Sequence, residues 1–410
     1  MQIRPFIVSL ILALPAFAET QLPPNARVAI IGDSITEQKL YSRFIETYLL
    51  GCTGRKDIRC FQFGWGGETA QGFSNRLEND LSVFHPTVAT TCYGMNDGRY
   101  VPYDPSIGAS YEKWMRFVLE GLKKVGVTHI VAGSPGAVDT RWFVKSGATA
   151  DQYNDTLAHL RDIDKKLAAE YHTAFANVHD EMIHAMAAAK AKLGPDYDVG
   201  GRDGVHPGAN GHLLMAAAFL KGLGLDGNIG NITLDMKGAS AGSEGHAVTG
   251  SHGIAEIESI KLPFYLEPEM RKITAFCHFN EELNRYTLRV KNLSTAKAKV
   301  TWGTEVKEFT KEQLTAGINL AVEFDKSPLD NAFIQLVIAV NAKQAYETPM
   351  IKGMITNFRN FTNDAKADPE LAAALNTVKQ KMIDKQEKLD AAAHAKAVPV
   401  THTIKVEALN

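Results

Sequence analysis

Two short stretches far apart in the chain carry residues able to do chemistry together. One is Gly32-Asp33-Ser34-Ile35-Thr36, directly after an apolar run, and the other is Asp203-Gly204-Val205-His206-Pro207. A serine hydroxyl is a poor nucleophile until a base takes its proton, and histidine is the usual base near neutral pH. Asp203 lies three residues before His206, so one short loop can hold a carboxylate against the imidazole. Such a carboxylate fixes the tautomer and stabilises the imidazolium that forms. Locally, Ser34 also has a plainer reading. Ser34-Ile35-Thr36-Glu37 fits the S-x-x-E capping box, in which a serine and a glutamate satisfy backbone N–H groups at a helix start. Both readings stand on the local sequence.

The elements that must position these residues follow an alternating pattern. Strand-like apolar runs are expected at Val28–Ile31, Arg59–Phe63, Thr87–Cys92, His129–Ala132 and Thr173–Val178. Amphipathic helical stretches lie around Leu40–Leu50, Thr69–Asp80, Ala109–Val125, Tyr153–Glu170 and His212–Leu223. This alternation implies an α/β fold, a parallel sheet with helices on both faces. Gly224–Gly230 reads as a boundary, after which short alternating strands take over. Two helical stretches follow, near Leu329–Asn357 and Pro369–Ala397, and Thr401–Leu409 reads as a closing strand. The expected organisation is therefore a catalytic unit over 19–227 and a smaller accessory α+β, β-rich unit over 228–410 with two helices.

Four blocks fall at the C-terminal ends of successive strands, where open α/β sheets gather their sites. They are GDSIT at 32–36, GWGGET at 64–69, YGMNDG at 93–98 and DGVHP at 203–207. With these blocks in this order, residues 27–225 resemble the SGNH (GDSL-type) hydrolases, serine esterases with a flavodoxin-like fold. Taken singly, each block reads as a cap, a turn or a solvated loop; the four together in order do not. The resemblance implies Ser34 as nucleophile with His206 and Asp203 completing the triad. It also implies an oxyanion hole made by the Ser34 N–H, the Gly67 N–H and the Asn96 side-chain amide. The G-x-S-x-G elbow of the α/β-hydrolases is absent, which argues against that other fold. One departure is visible: relatives often carry an Asn shortly before the glycines of the second block, where this chain has Phe61-Gln62-Phe63. A secondary hydrogen bond is in question there.

Composition excludes several classes. The 410 residues are 45% apolar and 22% charged with a net charge of −2, which fits a globular chain and no nucleic-acid surface. Arg4, the apolar Phe6–Leu14 and Ala16-Phe17-Ala18 read as a cleaved export signal over 1–18, giving a mature start near Glu19 and a periplasmic or extracellular location. No later run is long and apolar enough for a membrane anchor. Cys52 and Cys60 flank a polar loop and are expected to form a disulfide in an oxidising compartment, whereas Cys92 and Cys277 read as core residues. His179 and His184, the nearest approach to a ligand pair, have the wrong helical spacing, so neither a metal nor any other cofactor is expected.

For substrate, aromatic residues cluster on the loops that rim the site: Trp65, Tyr93, Tyr100, Tyr103 and Trp142. Trp65, Tyr93, Arg99 and Trp142 are the expected substrate contacts, with rings that stack on sugar faces or simply pack. Asp139 and Arg141 either meet polar substrate or form a structural ion pair. Many exported members of the resembled family remove acetyl groups from glycans, so the expected substrate is an acetylated polysaccharide or glycan. The alternatives are a lipase or lysophospholipase, and a carbohydrate-binding protein on a degenerate hydrolase fold.

Overall fold

A computed structural model describes residues 22–409, so the expected export signal lies outside the described residues. Five strands build the first sheet: β1 (Arg27–Gly32), β2 (Arg59–Gln62), β3 (Val88–Cys92), β4 (His129–Gly133) and β5 (Ala174–Ala176). They run parallel in the order β2-β1-β3-β4-β5. This is the flavodoxin-like order, which reverses direction between β1 and β3 and opens a crevice at their C-terminal ends. Every residue of β3 is buried, as a central parallel strand covered on both faces requires.

The helices are α1 (Ser34–Glu37), α2 (Tyr41–Thr47), α3 (Ala70–Ser74), α4 (Leu77–Leu81), α5 (Pro105–Lys124), α6 (Ala150–Glu170), α7 (Val178–Leu193) and α8 (Ala209–Gly222). Their starts are written locally. Asp104 caps α5 with Pro105 in its first turn, and Thr149 with Gln152 forms a capping box on α6. The expected fifth strand is shorter than its apolar run, because Asn177 caps α7 and takes Val178 into that helix.

After residue 227 the chain forms β6 (Asn228–Asp235), β7 (Ala241–Gly242), β8 (His246–Ser251), β9 (Ile254–Ser259), β10 (Arg285–Lys291), β11 (Lys297–Trp302), β12 (Glu305–Thr310), β13 (Ile318–Asn319) and β14 (Val400–Leu409). These make a four-stranded sheet, β13-β10-β6-β7, and a five-stranded sheet, β12-β11-β14-β9-β8. One apolar cluster runs without a break from Ile30 and Tyr48 through Phe264 and Phe333 to Leu288 and Trp302.

The helix Asp330–Met350 returns to the first sheet. A Cβ on Gly51 would come within 3.1 Å of Phe333 and Leu336, so the two segments touch closely. Lys343 on this helix is fully buried, 2.8 Å from Glu46 and 3.1 Å from Glu347, and donates to the Cys60 carbonyl at 2.7 Å. Such a cluster holds only because each charge is paired and hydrogen-bonded. The expected Cys52–Cys60 disulfide is not formed. Both are free, buried thiols packed in the same apolar cluster, and burial pushes both pKa values well above the ordinary thiol range.

Candidate active site

The helix start at β1 resolves the double reading of Ser34. Asp33, not Ser34, caps α1: its Oδ1 accepts from the Ile35 N–H at 2.9 Å. Glu37 does not close a capping box either, since its carboxylate takes the Gly66 N–H and the Lys352 ammonium. The Ser34 hydroxyl is thereby left for another partner. It lies 2.8 Å from His206 Nε2.

From His206 the chain of contacts continues to Asp203. Nδ1 meets Asp203 Oδ2 at 2.6 Å, while Oδ1 accepts from the backbone N–H groups of Val205 at 2.9 Å and His206 at 2.8 Å. Burial opposes the Asp203 charge, but the hydrogen bonds from His206 and Val205 outweigh it and hold the carboxyl below its ordinary value. The loop that presents the pair is tightly folded. Gly201 has φ of +95°, and a Cβ there would collide with the His206 carbonyl oxygen. The side chains of His206 and Asp203 are 34% and 57% exposed, so this end of the site opens to solvent.

The other two blocks stand beside Ser34. Gly67 has φ of +73°, the left-handed region that favours glycine, and the space where a Cβ would project is empty to 4 Å. Asn96 is held at both ends of its amide: Nδ2 donates to the Glu68 carbonyl at 3.0 Å, and Oδ1 accepts from the Tyr100 hydroxyl at 3.1 Å. Its Nδ2 is also 3.5 Å from Asp33 Oδ2. Asp97 ties the same loop to α3, accepting from Ala70 N–H at 3.0 Å and Gly94 N–H at 3.1 Å.

Three carboxyl groups under the site crowd one another. Asp33 is buried and its pKa is pushed up to about 7, chiefly by burial, with Asp97 and Glu68 adding to the rise against the Ile35 hydrogen bond. Asp97 is pushed up to about 6, again mainly by burial. Glu68 is clamped by Arg76, with Nε to Oε1 and Nη2 to Oε2 both at 2.7 Å.

Of the expected substrate contacts, Tyr93 must be corrected. Its ring is completely buried against Phe73 and its hydroxyl donates to Glu68 Oε2 at 2.8 Å, so it supports the floor of the site and lines no surface. Trp65 is half-buried, with the Arg76 guanidinium 4.9 Å and the Lys352 ammonium 4.7 Å from its ring centre. Arg99 is exposed with φ of +59°. Trp142 is half-buried next to the histidine loop: Arg202 lies 5.4 Å over its ring, and its neighbour Phe143 fills the place where a Cβ on Gly204 would stand.

Tyr100 orients Asn96 and stacks on Tyr153 at 5.0 Å, while Tyr103 stacks on His159 at 3.9 Å. Asp139 is a buried pin, paired with Lys190 and accepting from Gly200 N–H at 3.0 Å, and Arg141 pairs instead with Asp196 at 3.0 Å. At the place of the Asn missing from the second block stands Gln62, which ties the loop to α1. Its Nε2 donates to the Thr36 carbonyl of α1 at 2.6 Å. Asp33, Glu37, Gln62, Glu68 and Asp97 were all missed as site residues; only the motif positions of Asp33, Glu68 and Asp97 hinted at them.

Comparison with known proteins follows the same outline. Residues 30–214 match the GDSL-like Lipase/Acylhydrolase family. A search of curated proteins finds no match. Among solved structures, a gut microbial diltiazem-metabolizing enzyme superposes with a TM-score of 0.74 at 20% identity, over 95% of this chain and 100% of that one. A catalytic mutant of an acetylxylan esterase from Geobacillus stearothermophilus aligns over 50% of this chain and 96% of that one, with a TM-score of 0.42 and 21% identity. The first likeness spans the C-terminal sheets and helices as well as the parallel sheet, and at this identity it speaks for fold alone.

Proposed function

We propose, from the match of residues 30–214 to the GDSL-like Lipase/Acylhydrolase family, a serine esterase that removes short acyl groups, acetyl above all, from carbohydrate. The observation that carries the reading is the unbroken contact from Ser34 Oγ to His206 at 2.8 Å and on to Asp203 at 2.6 Å. In this reading His206 Nε2 takes the Ser34 proton as Oγ attacks the ester carbonyl, and Asp203 stabilises the imidazolium. The oxyanion accepts from the N–H groups of Ser34 and Gly67 and from the Asn96 amide. The imidazolium then protonates the departing sugar alkoxide. Water, activated by the same histidine, releases the acid and restores Ser34.

Support for a small acyl group comes from Trp65, fixed beside Gly66 and Gly67 by two cations. A bulky polar leaving group suits the exposed end at His206 and Asp203, beside which Arg202 packs over the Trp142 ring. Action outside the cytoplasm rests on the export signal read at residues 1–18, and N-terminal sequencing of the mature protein near Glu19 checks it. The deciding experiment is acetate release across acetylated polysaccharides, joined to a p-nitrophenyl ester series. A good apolar pocket would gain ~0.8 kcal/mol per methylene. The expected order is acetyl above butyryl, with octanoyl negligible. Octanoyl as the best substrate would put a lipid ester in place of the sugar acetate.

A further inference from the structure

Beyond the triad, the oxyanion loop is held by a segment far outside residues 30–214. The helix Asp330–Met350 passes Pro349 and continues as a single π-helical turn, Ile351–Ile355, which carries Lys352. Lys352 Nζ donates to Glu37 Oε1 at 2.7 Å, and Glu37 Oε2 accepts the N–H of Gly66. Gly66 is the residue before Gly67. The same ammonium lies 4.7 Å from the centre of the Trp65 ring. A second set of contacts reaches the nucleophile. Glu347 Oε2 accepts from the Gln62 N–H at 3.0 Å, and the Gln62 side chain donates to Thr36 in the helix that begins at Ser34.

We propose that Lys352 is a positioning residue for catalysis: through Glu37 it fixes Gly66, and so sets the Gly67 N–H where the oxyanion forms. The physical reason lies in the loop itself. Gly64, Gly66 and Gly67 give the segment Gly64–Gly67 little stiffness of its own. An oxyanion donor is effective only when its position is set before the charge develops. The Glu37 carboxylate is a quarter exposed, and the Lys352 ammonium on its second oxygen holds it in the orientation that takes the Gly66 N–H. The C-terminal region is then a working part of the active site, supplying a strut from outside the catalytic fold. This inference rests on the esterase reading, and its test separates the two.

The test compares wild type with Lys352→Met, Lys352→Arg, Glu37→Gln, the double variant Lys352→Met/Glu37→Gln, and Ser34→Ala. Turnover of an acetyl ester, binding of an alkylboronic acid as a mimic of the tetrahedral anion, and thermal midpoint are read for each. Removing an oxyanion donor outright costs ~100- to 1,000-fold, so loosening one is expected to lower kcat about tenfold with KM within about twofold. Boronate affinity should fall in proportion to kcat, Arg should restore most of both, and the double variant should lose no more than the worse single. Wild-type kcat in Lys352→Met, or losses that multiply in the double variant, would overturn the positioning role. So would a fall that tracks the thermal midpoint and leaves boronate binding unchanged. A Ser34→Ala enzyme that still turns over would instead remove the esterase reading beneath it.

Discussion

Replacing Asp33 by Asn puts a number on the strain under the nucleophile. The carboxyl of Asp33 is buried with its pKa raised from 3.8 to about 7, mainly because burial penalises its charged form. An acid raised in the folded state binds its proton more tightly there than in the unfolded chain. Its stabilising effect is therefore whole below pH 3.8 and is lost as pH rises through about 7. At ~1.4 kcal/mol per pH unit, the full cost of ionising Asp33 comes to about 4 kcal/mol above neutrality, of which about 2–3 kcal/mol develops between pH 5 and 8. Asn keeps an oxygen for the Ile35 N–H and caps helices as well as Asp does. It carries no charge to desolvate. Urea unfolding of both proteins at pH 5 and pH 8 reads the difference directly. Relative to wild type, Asp33→Asn should gain about 2–3 kcal/mol of stability on going from pH 5 to pH 8. A stability difference that does not change with pH would refute the reasoning.

Three other outcomes are expected. Asp203→Asn removes the carboxylate 2.6 Å from His206 Nδ1 and should lower kcat by up to ~10⁴-fold with little change in KM, read from steady-state ester hydrolysis. Lys343→Met strands Glu46 and Glu347 in the interior without their cation and should destabilise the fold by about 3–5 kcal/mol in urea titrations at pH 8. Thiol titration of the denatured, unreduced protein should find all four cysteines free; two would restore the Cys52–Cys60 bridge.

The parts of the site written in adjacent residues were legible from the sequence, and the parts assembled across the fold were not. Asp203 and His206 share one loop, so three residues of spacing were enough to pair them. The first three motif blocks marked the ends of β1, β2 and β3 around the switch point, whereas the fourth, at 203–207, follows no strand and lies in the loop between α7 and α8. Tyr93 shows the limit of adjacency. It follows β3 beside Gly94, yet its ring turns into the core toward Phe73 and Glu68, a direction that motif position does not encode. The capping box failed for a similar reason, since Asp33 one residue earlier took the helix N–H and released Ser34. Gln62 looked like a missing Asn because its partners, Thr36 and Glu347, are remote in sequence. Loop length likewise suggested a Cys52–Cys60 pair without fixing the separation and direction of the two Cβ bonds, which a disulfide requires. The C-terminal helices were visible as helices. Their docking on β2 was not, because the acids around Lys343 come from three separate segments, at Glu46, Glu347 and Asp390.

Covalent capture of the nucleophile tests the central claim most directly. The intact protein is treated with a fluorophosphonate at neutral pH and digested, and the adduct is located by mass spectrometry. The adduct should fall on Ser34 alone, form far more slowly in His206→Ala, and be absent in Ser34→Ala, which should also lose ester hydrolysis while keeping its fold. An adduct on any other serine, or a Ser34→Ala protein that hydrolyses acetyl esters at the wild-type rate, would contradict a mechanism built on the 2.8 Å contact between Ser34 and His206.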